Sequence, residues 1–308
     1  MIHKTFGKTG IDISAVGLGT WNIGNQWGDI DPGTAWSTIR AAFDNGVTLF
    51  DTAENYGLPG GTSEERLGMA LAGIRHQVTV VSKTGNWGRR IGRTIPREWP
   101  DTIRVCVHAS LHRLQTDWID VMLCHEGEIE DPSVYIEGFE ILQKEGRIRS
   151  YGISTNNLAV LKTFNEMGDC SVVQVDYSLM NRKPEDAFLP YCLENNIGVM
   201  VRGPLAKGLL SGNYDKSSVF EDTIRRSWHA DDAAQAKFEA DIDRVEKLKS
   251  LAKPGPEMVQ MALRYVISQP AVSVVIPGAK SPAQAATNAS AGSEVLSDAL
   301  IGQLQDLT

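Results

Sequence analysis

Eight short runs of apolar, largely β-branched residues recur along the chain, with amphipathic stretches between them. They lie at Val16–Thr20, Thr48–Thr52, Val78–Lys83, Ile119–His125, Tyr151–Thr155, Val172–Tyr177, Gly198–Gly203 and Val272–Gly278. The runs show little alternation of polar and apolar residues, as parallel strands buried on both faces require. Helical periodicity fills the gaps: Thr34–Asn45, Ser63–Ala72, Asp101–Leu114, Asp131–Glu145, Leu158–Met167, Glu185–Asn196, Pro256–Ser268 and Pro282–Ala291. Asp101 and Asp131 read as N-caps, and Gly46 and Gly146 as C-terminal stops. Eight strands each followed by a helix predict an α/β protein built as a closed (β/α)8 TIM barrel rather than an open sheet.

Two additions to a bare barrel are expected. Lys4–Ser14, with its Gly-Lys-Thr-Gly turn, reads as an N-terminal β-hairpin. Lys207–Pro254 is a long insertion after the seventh strand, carrying Arg225, Arg226 and a charged helix around Asp241–Leu251. Insertions at that end of a barrel shape its active site. With no interdomain linker, low-complexity tract or repeat beyond the βα unit, residues 1–308 read as one domain.

The formal net charge of −8 disfavours nucleic acid and anionic membrane surfaces as general partners. No apolar run approaches the ~20 residues of a membrane span, and the N-terminus lacks the apolar core of a signal peptide. Cys106, Cys124, Cys170 and Cys192 are scattered without a Cys-x-x-Cys pair, so they read as small core or helix residues of a cytoplasmic protein. No metal site is expected. The oligomeric state is left open by the sequence.

Barrel chemistry sits where strands end. The second strand ends in Asp51 with Tyr56 five residues on, the third in Lys83 and the fourth in His125. Alone, each has an ordinary role: a turn cap, a solvated cation, a hydrogen-bonded histidine. Together they form an acid–base set. A tyrosine hydroxyl has a reference pKa of about 10. A nearby Lys83 ammonium favours the phenolate and is expected to lower that value, with Asp51 holding the lysine charged. His125 is placed to orient a carbonyl.

Gly17-Leu-Gly-Thr-Trp21, Phe50-Asp-Thr-Ala-Glu-Asn-Tyr-Gly57 and Ser63-Glu-Glu-Arg-Leu-Gly68 resemble the aldo-keto reductase family. The likeness continues through Gly152-Ile-Ser154, Gln174-Val-Asp-Tyr177, Gly203-Pro-Leu-Ala-Lys-Gly-Leu-Leu-Ser-Gly212 and Ile276-Pro-Gly-Ala-Lys280, nearly the whole chain. The Arg-Gly-Pro-Leu pattern at 202–205 looks like the bacterial-type branches. The resemblance implies a catalytic tetrad of Asp51, Tyr56, Lys83 and His125 and an NADP(H) cofactor, with NAD(H) possible. It places Ser154 and Gln174 on the nicotinamide carboxamide, Tyr177 against the ring and Arg202, Gly203, Pro204, Leu205, Lys207 and Gly208 along the pyrophosphate. Gly278, Lys280, Gln284 and Asn288 would surround the adenosine, with Lys280 offering a cation to a 2′-phosphate. Gly19, Thr20, Trp21 and Asp51 complete the implied cofactor contacts. The substrate pocket is expected from Trp21, Trp27, Tyr56, Trp87 and His125, because ligand pockets are rich in aromatics, with packing against neighbouring loops an equal alternative for Trp27 and Trp87. Three departures from the family pattern stand out: Thr155 where asparagine is common, Arg202 where an aromatic often stacks, and Gln284 where an arginine reaches the adenine end.

The expected activity is hydride transfer between nicotinamide C4 and an aldehyde or ketone, or the corresponding alcohol or sugar. The alternative is a cofactor-binding partner protein of the same fold, as in channel-associated β subunits. Other signals are excluded. No Tyr-x-x-x-Lys, Gly-x-Ser-x-Gly or full phosphate-binding Gly-x-x-x-x-Gly-Lys-Ser/Thr loop occurs, and His108 and His112 lack the intervening glutamate of a zinc protease.

Overall fold

The computed structural model describes residues 1–88, 92–93, 95–222 and 224–308. Strands β1 (His3–Thr5) and β2 (Asp12–Ser14) form an antiparallel hairpin. Eight parallel strands follow: β3 (Leu18–Gly19), β4 (Leu49–Asp51), β5 (Thr79–Thr84), β6 (Ile119–Cys124), β7 (Ile148–Ser154), β8 (Val172–Asp176), β9 (Gly198–Arg202) and β10 (Val272–Val275). They are hydrogen-bonded in chain order. The amides of Gly17 and Gly19 donate to Val275 and Pro277, and that of Val275 to Ala15, joining the last strand to the first. Each of the eight expected strands is present.

The helices between them are α1 (Pro32–Asp44), α2 (Thr62–Leu71), α3 (Pro100–Leu114), α4 (Ser133–Lys144), α5 (Leu158–Met167), α6 (Phe188–Glu194), α7 (Asp232–Leu248), α8 (Pro256–Ile267), α9 (Pro282–Ser290) and α10 (Asp298–Leu307). Helix α1 starts two residues before the expected Thr34, because the Asp31 side chain accepts from the Thr34 amide and Pro32 fits the first turn. Ala35, Thr38, Ile39 and Ala42 form its buried stripe, and Gly46 ends it at φ 84°. Two expected caps are corrected. Asp101 lies inside the first turn of α3, which Trp99 opens, and bonds Arg104 instead. The cap position of α4 is Pro132, although Asp131 accepts the Ser133 amide. All four cysteines are free and buried.

Alternate strand residues divide the core into two layers. Leu49, Val81, Val121, Leu123, Val172 and Met200 fill the barrel interior, while Met122 and Cys124 of β6 face the helices. The hairpin plugs the N-terminal end of the barrel, placing Phe6 and Ile13 in the inner layer. Lys4 donates there to the carbonyls of Ile267 and Val272. Gly7 sits at φ 52°, and a Cβ would lie 2.0 Å from the Gly198 amide nitrogen, so only glycine fits. With that end closed, the opposite mouth is left for chemistry.

The insertion after β9 contains α7, capped by Asp231 and starting well before the expected Asp241. Phe238 stacks on Trp228, and Phe220 packs edge-on to both. Among the described residues, no helix is long and apolar enough to cross a membrane.

Candidate active site

The C-terminal ends of β4, β5 and β6 bring the expected acid–base set together. Lys83 is fully buried, and its ammonium donates to Asp51 Oδ1 at 2.6 Å, the Thr52 carbonyl at 2.7 Å and the Tyr56 hydroxyl at 3.3 Å. Gln174 on β8 donates to the same Asp51 oxygen at 2.9 Å, which fixes the carboxylate from across the barrel. The His125 ring lies 6.0 Å from the Tyr56 ring, nearly perpendicular to it. Trp21 stacks on Tyr56 at 5.8 Å, and Trp27 meets Trp21 edge-on at 5.2 Å.

The electrostatics correct one expectation. Burial raises the Tyr56 hydroxyl above the ordinary tyrosine value; Lys83 pulls it down, Asp51 pushes it up, and the net shift is upward rather than downward. The phenol is therefore protonated throughout the neutral range. Burial disfavours the Lys83 ammonium, but Asp51 and Tyr56 more than offset this and hold it above the usual lysine value. Burial likewise pushes the Asp51 carboxyl up, against the pull of Lys83 and Gln174. What results is a neutral hydroxyl hydrogen-bonded to a fixed cation.

The set opens into a cleft of about 1460 Å³ that runs to α9. Of the expected residues, Gly19, Trp21, Trp27, Asp51, Tyr56, His125 and Gln174 line it on the catalytic side. Arg202, Gly203, Pro204, Leu205, Lys207 and Gly208 line its middle, and Gly278, Lys280, Gln284 and Asn288 its far end. Thr20, Ser154, Tyr177 and Trp87 do not line it. Thr20 donates to the Asp51 carbonyl at 2.8 Å behind the site, and the Tyr177 hydroxyl donates to Glu185 at 2.8 Å. Trp87 lies beside Gly60 with the Arg113 guanidinium 5.1 Å from its ring, so it packs against neighbouring chain instead of walling the pocket.

The cleft suits an extended anionic ligand. Arg202, Lys207, Arg225, Lys237 and Lys280 line it against Asp51, Asp176 and Asp241, a local positive excess in a molecule of net charge −8. Asp51 is already paired with Lys83. Gly203 (φ 66°), Ala206 (φ 47°), Lys207 (φ 56°) and Gly208 (φ 97°) bend the backbone into a cradle, the kind of turn that aims amides at phosphates. The Lys280 ammonium donates to the Trp27 carbonyl, and burial together with Arg225 lowers its pKa. Arg225, held by Asp222 at 2.7 Å, was legible only as part of an arginine pair in the insertion. Asn86, which also lines the cleft and donates to the His125 carbonyl at 2.8 Å, carried no sequence signal. Among the described residues there is no cluster of three or more metal-ligating side chains.

A model of the aldo/keto reductase family matches residues 15–308. The chain is 36% identical over 295 residues to aldo-keto reductase YhdN of Bacillus subtilis (strain 168), covering 92% of this chain and 86% of that protein. It is 32% identical over 322 residues to the NADH-specific methylglyoxal reductase of Escherichia coli (strain K12), covering 95% and 94%. Among solved structures, an aldo/keto reductase from Klebsiella pneumoniae in complex with NADP and acetate superposes with a TM-score of 0.75 at 29% identity, covering 99% of this chain and 94% of that one.

Proposed function

The chain belongs to the aldo/keto reductase family and is an NAD(P)H-dependent oxidoreductase, and we propose that it reduces an aldehyde or ketone, or oxidises the corresponding alcohol or sugar, with Tyr56 as the general acid/base. The observation that carries this reading is the buried Lys83 ammonium held between Asp51 Oδ1 at 2.6 Å and the Tyr56 hydroxyl at 3.3 Å, at the mouth of the cleft.

A nicotinamide cofactor held in the cleft would supply the hydride chemistry in either direction. Everything else falls to side chains of this chain. Tyr56 is protonated before the reaction because burial raises its pKa. It gives its proton to the carbonyl oxygen as charge develops there. The phenolate left behind gains the full attraction of Lys83, which the neutral hydroxyl does not feel, so the interaction strengthens toward the transition state. Asp51 keeps Lys83 charged. His125 orients the carbonyl oxygen, and Trp21 and Trp27 supply apolar wall. In oxidation the same groups run in reverse, with Tyr56 accepting the proton.

For the cofactor, the reading assigns the Arg202–Gly208 cradle to the pyrophosphate and Gly278, Gln284 and Asn288 to the adenosine. Lys280 beside Arg225 favours the 2′-phosphate of NADP(H) over NAD(H). The Klebsiella relative in complex with NADP agrees with this choice, while the NADH-specific E. coli relative marks the alternative. Loss of nicotinamide absorbance with a panel of aldehydes, ketones and sugars, run with NADPH and NADH, tests the reading. Turnover with a carbonyl and preference for NADPH support it. Tight NADPH binding with no turnover across the panel counts against the enzyme and for a cofactor-binding partner protein.

A further inference from the structure

Glu54 stands two residues before Tyr56 and is 1% exposed. Its carboxylate accepts four hydrogen bonds, from Thr84 Oγ1 (3.0 Å), the amides of Gly85 (2.7 Å) and Trp87 (3.2 Å), and Arg97 Nη2 (2.9 Å). Its own amide donates to the Lys83 carbonyl at 3.1 Å. Thr84 and Gly85 directly follow Lys83, so this one carboxylate ties the segment carrying Tyr56 to the segment leaving Lys83. The tie extends to the fourth strand. Asn86, between the two clamped amides, donates to the His125 carbonyl, and the His125 amide donates to Thr84 at 2.8 Å. Arg97 closes the network from the loop before α3. Its side chain is only 4% exposed, and its Nη1 stands 4.0 Å from Glu126, the residue after His125.

We propose that Glu54 and Arg97 are positioning residues of the active site: their buried ion pair sets the mutual placement of Tyr56, Lys83 and His125 without touching substrate or cofactor. The proposal rests on Tyr56 being the proton donor. Charge is what makes the arrangement specific. A neutral residue could satisfy part of the Glu54 hydrogen bonding, but only a carboxylate can gather two backbone amides, a hydroxyl and a guanidinium at one point. Removing either charge strands the other in the interior. The segments then readjust exactly where sub-ångström alignment controls proton transfer, and misplacement of about 1 Å costs roughly 100-fold in rate. The residues assigned to the cofactor lie mainly on the far side of the barrel, on and after β8, β9 and β10, outside this network.

The test compares Glu54→Gln, Arg97→Met, Arg97→Lys and the double variant Glu54→Gln/Arg97→Met by single-turnover oxidation of bound NADPH with a reactive aldehyde, alongside NADPH Kd by fluorescence and Tm. Glu54→Gln and Arg97→Met should each slow the single-turnover rate by about 10- to 100-fold, with NADPH Kd within about threefold of wild type. Arg97→Lys should recover most of the rate, because it restores the charge. The double variant should lose no more than the worse single, since it strands no charge. A pair that only stabilises the fold would lower Tm and leave the rate per cofactor-loaded molecule unchanged; that result overturns the proposal. So does a double variant whose loss equals the product of the two singles, or an equal loss in NADPH affinity. Tyr56→Phe, run in parallel, separates the two readings. A wild-type rate there overturns the proton-donor assignment, whereas a slow Tyr56→Phe beside wild-type rates in the Glu54 and Arg97 variants overturns the positioning alone.

Discussion

Replacing Lys83 with methionine removes the cation but keeps most of the buried volume, so it isolates the electrostatic part of the mechanism. The ammonium lies 3.3 Å from the Tyr56 oxygen. At an effective dielectric of about 20, a phenolate at that distance gains about 5 kcal/mol from the cation. Asp51, 2.6 Å from the same nitrogen, carries the opposite sign and offsets roughly half of this. What remains, about 2.5 kcal/mol, corresponds to a loss of roughly 60-fold in carbonyl reduction at about 1.4 kcal/mol per decade. The folded state also suffers, because Asp51 loses its partner; breaking a buried pair costs about 3–5 kcal/mol. Burial already favours the protonated Asp51 carboxyl, which keeps that cost at the lower end. Single-turnover rates on NADPH-saturated Lys83→Met, with Tm and NADPH Kd measured on the same preparation, read all three quantities. A rate within tenfold of wild type on folded, loaded protein would refute the idea that Lys83 supports the developing phenolate.

Two further outcomes follow from other parts of the molecule. Lys280→Ala should weaken NADPH binding by tenfold or more while leaving NADH binding within about twofold, in keeping with the ~1.5–3 kcal/mol of a charge-assisted hydrogen bond; equal losses for both cofactors would remove the 2′-phosphate assignment. Lys4, in the barrel plug, has its pKa lowered by burial to about 8, so between that pH and the ordinary lysine value near 10.5 the unfolded chain binds the extra proton. Its contribution to stability should therefore rise as pH climbs through this window, and a urea midpoint compared with that of Lys4→Met at pH 7.5 and 9.5 should show wild type gaining on the variant; no relative gain contradicts the buried-lysine account.

The barrel was legible because parallel strands buried on both faces leave an unmistakable pattern of apolar runs, and all eight runs became strands. The site was legible to the extent that strand ends carry it: Asp51 ends β4, Lys83 is the penultimate residue of β5 and His125 directly follows β6, so adjacency in the sheet follows from order in the chain. Helix α10 was missed although Ser297 caps it by accepting from Leu300, and Leu300, Ile301, Leu304 and Leu307 recur at helical spacing. That signal was present in the sequence. Other features were not. The direction of the Tyr56 shift depends on how burial weighs against one cation, and spacing carries no information about solvent exclusion. For Trp87 the sequence leaves pocket wall and loop packing equally open; its neighbours Gly60 and Arg113, which decide for packing, come from elsewhere in the chain. Glu54 and Arg97 lie 43 residues apart with α2 and β5 between them, and no periodicity in the sequence signals that they meet.

The central claim is that Tyr56 delivers the proton to the substrate oxygen. Its most direct test is single-turnover oxidation of bound NADPH by an aldehyde in Tyr56→Phe, which removes one hydroxyl and keeps the ring stacked on Trp21. The account predicts that NADPH affinity stays within about threefold while the rate falls by at least 100-fold, the range by which a positioned general acid accelerates a reaction. A variant that reduces the aldehyde at the wild-type rate would contradict it.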